Sequence, residues 1–197
     1  IGNQLALKTH GTVLRINMNN LAHNLNIYRA MLNPGVKTMA MVKAFSYGSG
    51  QAEIARLLAN QRVDYLAVAY ADEGADLRRQ GIRLPIMVMN PEPETFDQLK
   101  QYQLEPEIYS IEILKAFIQS IGKDDASIHI KIDTGMHRLG FVENDIPELL
   151  VLLKSHQHIR VASIFFFFFG ADENKHDNFS EHQITLFNKI ASSIQTT

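Results

Sequence analysis

The stretch Ser127–Asp133, SIHIKID, alternates isoleucine with titratable residues. Side chains along a strand point to opposite faces in turn. Ile128, Ile130 and Ile132 therefore share one face, and His129, Lys131 and Asp133 share the other. A parallel strand covered by helices on both sides is expected to be apolar throughout. Two arrangements accommodate the pattern: an edge strand with a wet face, or a barrel strand with its polar face inward. The neighbouring strand segments read as apolar, which favours the barrel interior.

Outward from this strand, apolar runs alternate with helical periods. A first helix is expected over 18–32, where Leu21, Leu25, Tyr28 and Leu32 recur at helical spacing before Asn33-Pro34-Gly35 stops it. Strands are expected over 36–42, 65–69, 85–89, 106–109 and 127–133, with another from about 161. Helices are expected around 54–58 and over 73–80, 94–102, 111–121, 146–155 and 179–194. Strict alternation implies parallel strands with helical crossovers, in an open doubly wound sheet or a closed barrel. A dinucleotide binder of the first kind carries G-x-G-x-x-G after an early strand. The first turn here, Lys43–Gly50, reads KAFSYGSG and lacks that spacing. The expected fold is therefore an α/β barrel of the (β/α)8 TIM type, with about six of its eight units present. Residues 1–10 show no pattern and are expected to be a linker or N-terminal extension, with the partial barrel domain over 11–197.

Composition narrows the functions. The 197 residues carry 19 Lys+Arg and 21 Asp+Glu, a net charge of −2. No excess of cations is available to neutralise nucleic-acid or membrane phosphates, so non-specific binding to nucleic acid or to an anionic membrane is not expected. The absence of cysteine excludes disulfides, zinc–thiolate sites and Cys nucleophiles. The default compartment is the reducing cytoplasm. No apolar run reaches the ~18 residues of a membrane span.

Lys43 falls at the C-terminal end of the first strand, the end at which parallel α/β folds place their chemistry. An amine walled by apolar groups favours its neutral, nucleophilic form, whereas most strand-end lysines reach into water. Tyr47, Gly48 and Gly50 follow in a turn that lets backbone approach an anion. The loop DTGMHRLGF, Asp133–Phe141, carries Arg138 to the same end, where a guanidinium suits an oxyanion. His156, His158, His176 and His182 form no metal-binding spacing and read as solvated surface residues. Asp72 and Glu73 read as acids favouring a helix N-terminus.

Three segments together resemble alanine racemase of the type that binds pyridoxal 5′-phosphate in a barrel. They are MVKAFSYGSG (Met41–Gly50), AVAYADEGADLRRQGIRLPIMV (Ala67–Val88) and KIDTGMHRLGF (Lys131–Phe141). The details are most similar to the racemase domain that some bacteria fuse behind a cell-wall tripeptide–D-alanyl-D-alanine ligase, which implies a ligase domain upstream. The resemblance implies a cytoplasmic isomerase that interconverts L- and D-alanine and supplies D-alanine for peptidoglycan. It makes Lys43 the lysine that bonds the cofactor as an aldimine and moves a proton at the substrate Cα. Tyr47 contacts the cofactor phosphate, and Arg138 holds the phenolic oxygen of its ring. Met136, with Arg138, approaches the substrate. Lys131 matches a lysine that is carbamylated in many members, where the added anion fixes the arginine; an unmodified ammonium so near Arg138 would be repelled. A tyrosine on the opposite face comes from the C-terminal β domain of a partner subunit in a homodimer. That domain and the last barrel units are missing here, so this stretch alone is expected to be inactive.

The chain departs from the pattern in IFFFFFGADE, Ile164–Glu173. Phe167 stands where the family has a histidine stacked on the cofactor ring. Phe45 and Ser49 replace a common Asn and His. Five successive phenylalanines, Phe165–Phe169, are an aggregation hazard wherever they are exposed. Two alternatives to the racemase are a non-catalytic barrel that binds the same cofactor, and a racemase or D-amino-acid lyase with another substrate.

Overall fold

The computed structural model describes residues 11–195, which divide between Val36 and Lys37 into two compact units. The extension expected over 1–10 lies outside the described residues. The first unit holds one helix, α1 (Met18–Ala30). Asn17 caps it by accepting the N–H groups of Asn19 at 3.0 Å and Asn20 at 3.1 Å. The helix stops two residues short of Leu32, because Pro34 disfavours helical geometry at the residue before it. No residue of α1 is fully buried.

The second unit is a parallel sheet of β1 (Met39–Met41), β2 (Tyr65–Val68), β3 (Ile86–Val88), β4 (Glu105–Ile108), β5 (Ala126–Lys131) and β6 (Ile159–Phe165). The strands pair in strict chain order, each parallel to the next. Right-handed crossovers that always advance in one direction place every helix on the same face. A doubly wound sheet would reverse direction. The helices are a single turn, α2 (Lys43–Tyr47), then α3 (Gln51–Asn60), α4 (Ala71–Arg79), α5 (Phe96–Gln101), α6 (Ile111–Ile121), α7 (Ile146–Ser155) and α8 (Asp177–Gln195).

Contacts across the open face show that the sheet curls. Tyr65 of β2 meets His129 of β5 edge-on, with 5.5 Å between ring centres. Ala67, Met87 and Met89 pack with Met41 on one side and with Phe165 and Phe167 on the other. Strands three or more places apart touch only when a sheet bends toward closure. This is six strands of a (β/α)8-type barrel, the fold expected from SIHIKID. Ile128, Ile130 and Ile132 are at most 1 % exposed beneath the helix layer. Burying each contributes roughly 1.5–3 kcal/mol.

Three details differ from expectation. β1 is shorter than the apolar run 36–42. The helix expected over 94–102 is a 3-10 turn, Pro93–Thr95, followed by α5, because proline suits a helix start and cannot extend one. Most consequentially, the neighbour strands of β5 are not all apolar. β4 begins at Glu105, before Pro106, and both Glu105 and Glu107 pair with side chains of β5. Among the described residues no helix is long and apolar enough to cross a membrane.

Candidate active site at the C-terminal end of the barrel

The interior is built in layers two residues apart along each strand. In the lower layer the Tyr65 hydroxyl donates to Glu105 Oε2 at 3.2 Å. His129 Nε2 lies 2.9 Å from the same oxygen, and its Nδ1 lies 2.7 Å from Ser163 Oγ. Burial pushes the Tyr65 phenol above its ordinary value, and Glu105 adds to the shift. Burial works to raise the Glu105 carboxyl too, but His129, Tyr65 and Arg160 outweigh it and hold it below the usual glutamate value. His129 is 1 % exposed with both ring nitrogens engaged, so this layer is a satisfied polar core. A cavity of about 530 Å3 opens below it, lined by the starts of β4, β5 and β6. That is the end opposite Lys43, and barrel chemistry belongs to the other end.

The upper layer holds Glu107 and Lys131, 0 % and 3 % exposed, with Nζ 3.1 Å from Oε1. Burial pushes the Glu107 carboxyl up, opposed by the Lys131 ammonium and, more weakly, by Arg138. The Lys131 Nζ also lies over the Phe167 ring, 4.4 Å from its centre.

Above this layer the chain turns through DTGMHRLGF. Asp133 Oδ1 accepts the N–H groups of Gly135 at 2.9 Å and His137 at 3.0 Å. Burial acts to raise the Asp133 carboxyl, but these N–H groups and the His137 ring hold it below the usual range. Gly140 closes the loop at φ +134°; a Cβ there would lie 2.5 Å from the Asp133 nitrogen. Phe141 then donates its N–H to Lys131 O at 2.9 Å and accepts that of Asp133 at 3.0 Å. The loop is thereby tied to the end of β5, leaving Met136 half-buried and Arg138 exposed.

Lys43 is half-buried at the end of β1, directly after the fully buried Val42. The backbone then takes an unusual path. Ala44, Phe45, Ser46 and Tyr47 all have φ between 50° and 56°, a left-handed turn made without glycine. Each such residue costs roughly 1–2 kcal/mol. The turn closes with Ser46 N–H donating to Val42 O and Gly48 N–H to Ala44 O. Glu73 pins it: Oε1 accepts Ala44 N–H at 2.6 Å, and Oε2 accepts Ala69 N–H at 2.7 Å and Tyr70 N–H at 3.2 Å. The Ser46 hydroxyl is buried without a partner, and Tyr47 is exposed.

The phenylalanine run alternates between two surroundings. Phe165 and Phe167 face the interior cluster, while Phe166 meets Phe168 and Phe187. Gln183 of α8, 0 % exposed, fastens the run. Its Nε2 donates to Phe167 O at 3.1 Å and Thr134 Oγ1 at 3.0 Å, and its Oε1 accepts Phe169 N–H at 3.1 Å.

Lys43, Tyr47, Met136, Arg138 and Phe167 thus all lie at the strands' C-terminal ends or in the segments just beyond, above Lys131 in the interior. Glu73, Glu107 and Gln183 were not legible as site residues. Glu73 offered only its helix-start position, and Glu107 lay beside a proline. The histidine expectation needs correcting: His156, His158 and His176 are half-buried, and only His182 is exposed. His156 and His158 stack edge-on and His176 packs near Phe169, so ring contacts replace solvent.

Residues 16–197 match the family of the alanine racemase N-terminal domain. An amino-acid racemase of Enterococcus faecalis is 37% identical over 185 residues, which are 92% of this chain and 26% of that protein. Alanine racemase 2 of Clostridium acetobutylicum is 33% identical over 184 residues, 91% of this chain and 46% of that protein. The solved alanine racemase of Clostridium difficile 630 in complex with cycloserine superposes with a TM-score of 0.83 at 32% identity, over 92% of this chain and 50% of that one. The chain spans about half the length of most of these relatives, and a quarter of the first.

Proposed function

Given that the chain belongs to the alanine racemase N-terminal-domain family, we propose that it is the cofactor-bearing barrel of a pyridoxal 5′-phosphate-dependent racemase interconverting L- and D-alanine. The observation that carries this is the strained left-handed turn after Lys43, held by Glu73 at the C-terminal end of the first strand. Four residues in a costly conformation persist only where surrounding structure enforces them, and such strain concentrates at functional sites.

The residues present fit the cofactor. A half-buried amine stands just beyond β1, at the end of the barrel above the packed methionine and phenylalanine side chains of the interior, and an arginine is presented from a loop at the same end. Lys43 is the residue to bond the aldehyde carbon, Tyr47 to meet the phosphate, Arg138 to meet the phenolic oxygen, and Phe167 to lie against the ring. When bound, pyridoxal phosphate withdraws electrons from the amino-acid Cα and makes its proton removable. Lys43 Nζ takes and returns that proton on one face. Met136 and Arg138 border the substrate. Inversion needs a second proton carrier on the opposite face, and the resemblance assigns it to a further domain of a partner subunit, making the protein a homodimer. D-alanine made in the cytoplasm would supply peptidoglycan. The name of the Enterococcus faecalis relative favours a second reading, in which the substrate is another amino acid.

The test is K43A in the full-length protein. The visible band of lysine-bound cofactor should disappear, and borohydride should no longer fix the cofactor to the Lys43 peptide. A wild-type spectrum in K43A would refute the assignment.

A further inference from the structure

We propose that Gln183 and Phe179 of α8 are positioning residues that lock the Arg138 loop and the phenylalanine run into one fixed relation. This rests on the function proposed above, in which Arg138 and Phe167 meet the same cofactor. The two α8 residues are four apart and share a helix face. Each of them touches both segments. Gln183 Nε2 donates to Thr134 Oγ1, at the start of the loop, and to Phe167 O in the run. Its Oε1 accepts the Phe169 N–H. The Phe179 ring lies against Gly135, where a Cβ would fall 2.7 Å from the ring's Cζ. The same ring meets that of Phe169 edge-on, with 6.3 Å between centres.

The chemistry of these contacts fixes the residue type at 183. A backbone N–H only donates and a carbonyl only accepts, so the amide fits one way round. Its two N–H hydrogens are then spent, one on each segment. Gln183 is 0 % exposed and Thr134 3 %, so solvent does not replace a lost bond. A glutamate of the same length would keep the Phe169 bond but lose both donors, and would set an oxygen against the Phe167 carbonyl. On the loop side Asp133 carries the constraint onward, through the N–H groups of Gly135 and His137, to the residue before Arg138. A shift of the run is therefore a shift of the loop, and a cofactor that meets both Phe167 and Arg138 depends on the link through α8.

The test compares T134V, T134S and Q183E in the full-length protein. T134V removes the loop's hydroxyl with little change of shape, and T134S keeps it. First, amide hydrogen exchange is followed by mass spectrometry on cofactor-free protein, relative to peptides of β2 and β3 so that a uniform loss of stability cancels. T134V and Q183E should each speed exchange about tenfold in both 133–138 and 165–169, and T134S should match the wild type. Second, pyridoxal 5′-phosphate is titrated into the cofactor-free protein. Its dissociation constant should rise about tenfold in T134V and Q183E and stay at the wild-type value in T134S. Faster exchange in neither segment or in only one, an equal rise in the reference peptides, a T134S no better than T134V, or an unchanged dissociation constant in T134V overturns the proposal. The racemase assignment fails separately, in the spectrum of K43A.

Discussion

The Glu73 carboxylate accepts the Ala44 N–H at 2.6 Å, tying the start of α4 to the residue that follows Lys43. Glu73 also holds two N–H groups at the end of β2. One side chain thus braces a left-handed turn that is unfavourable by itself. E73A removes the acceptor for three backbone donors. A stability loss of about 2–4 kcal/mol is expected in urea denaturation. Cofactor affinity should weaken about tenfold, because the Lys43 turn loses its preorganisation. E73Q keeps one acceptor oxygen and should lie between the two.

Gln183 is expected to matter as much for stability as any apolar core residue. Q183L leaves the Phe169 N–H and the Phe167 carbonyl without their partner inside the protein. The expected cost is about 2–3 kcal/mol. It should be accompanied by increased binding of a hydrophobic dye as the Phe165–Phe169 run loosens. An unchanged denaturation midpoint would show that α8 does not fasten that run.

G140A is expected to distort the Arg138 loop. The new Cβ would meet backbone of Ile132 and Asp133 at under 3 Å, and the φ of +134° is itself unfavourable for alanine. A loss of about 2–4 kcal/mol is expected. In the proposed racemase the substrate KM should rise more than kcat falls if the loop positions and does not react.

Acid should weaken the barrel through Glu105. Its folded carboxyl titrates below the ordinary glutamate value because His129, Tyr65 and Arg160 outweigh burial. The native state then binds fewer protons than the unfolded state across that window, so stability rises with pH there. The contribution is complete above the unfolded value and is lost as pH falls through the depressed one. Tm measured against pH should show this acid limb in the wild type and a shallower one in E105Q. Equal slopes would show that Glu105 makes no such contribution.

Several of these residues could not be found by pattern alone. The αL turn occurs at Ala44, Phe45, Ser46 and Tyr47, four residue types that do not seek that conformation. Glu73 looked like any acid at a helix start, since its carboxylate reaches backbone 29 residues away in sequence. Glu107 was concealed by Pro106, which made β4 read as weak and hid its alternation.

What the sequence determined by itself was the order of strands and helices and the inward turn of His129 and Lys131. Both follow from local periodicity, because side-chain direction alternates along any strand whatever its surroundings. The motif segments likewise carried Lys43, Tyr47 and Arg138 to one end of the sheet, since the end of a strand is a chain position. Which charge faces Lys131, which carboxylate braces the turn after Lys43, and which amide holds the phenylalanine run were decided only by tertiary structure. Those contacts join residues on different strands and helices, and the energy of a buried charge or an unpaired N–H depends on the partner that the fold brings within about 3 Å.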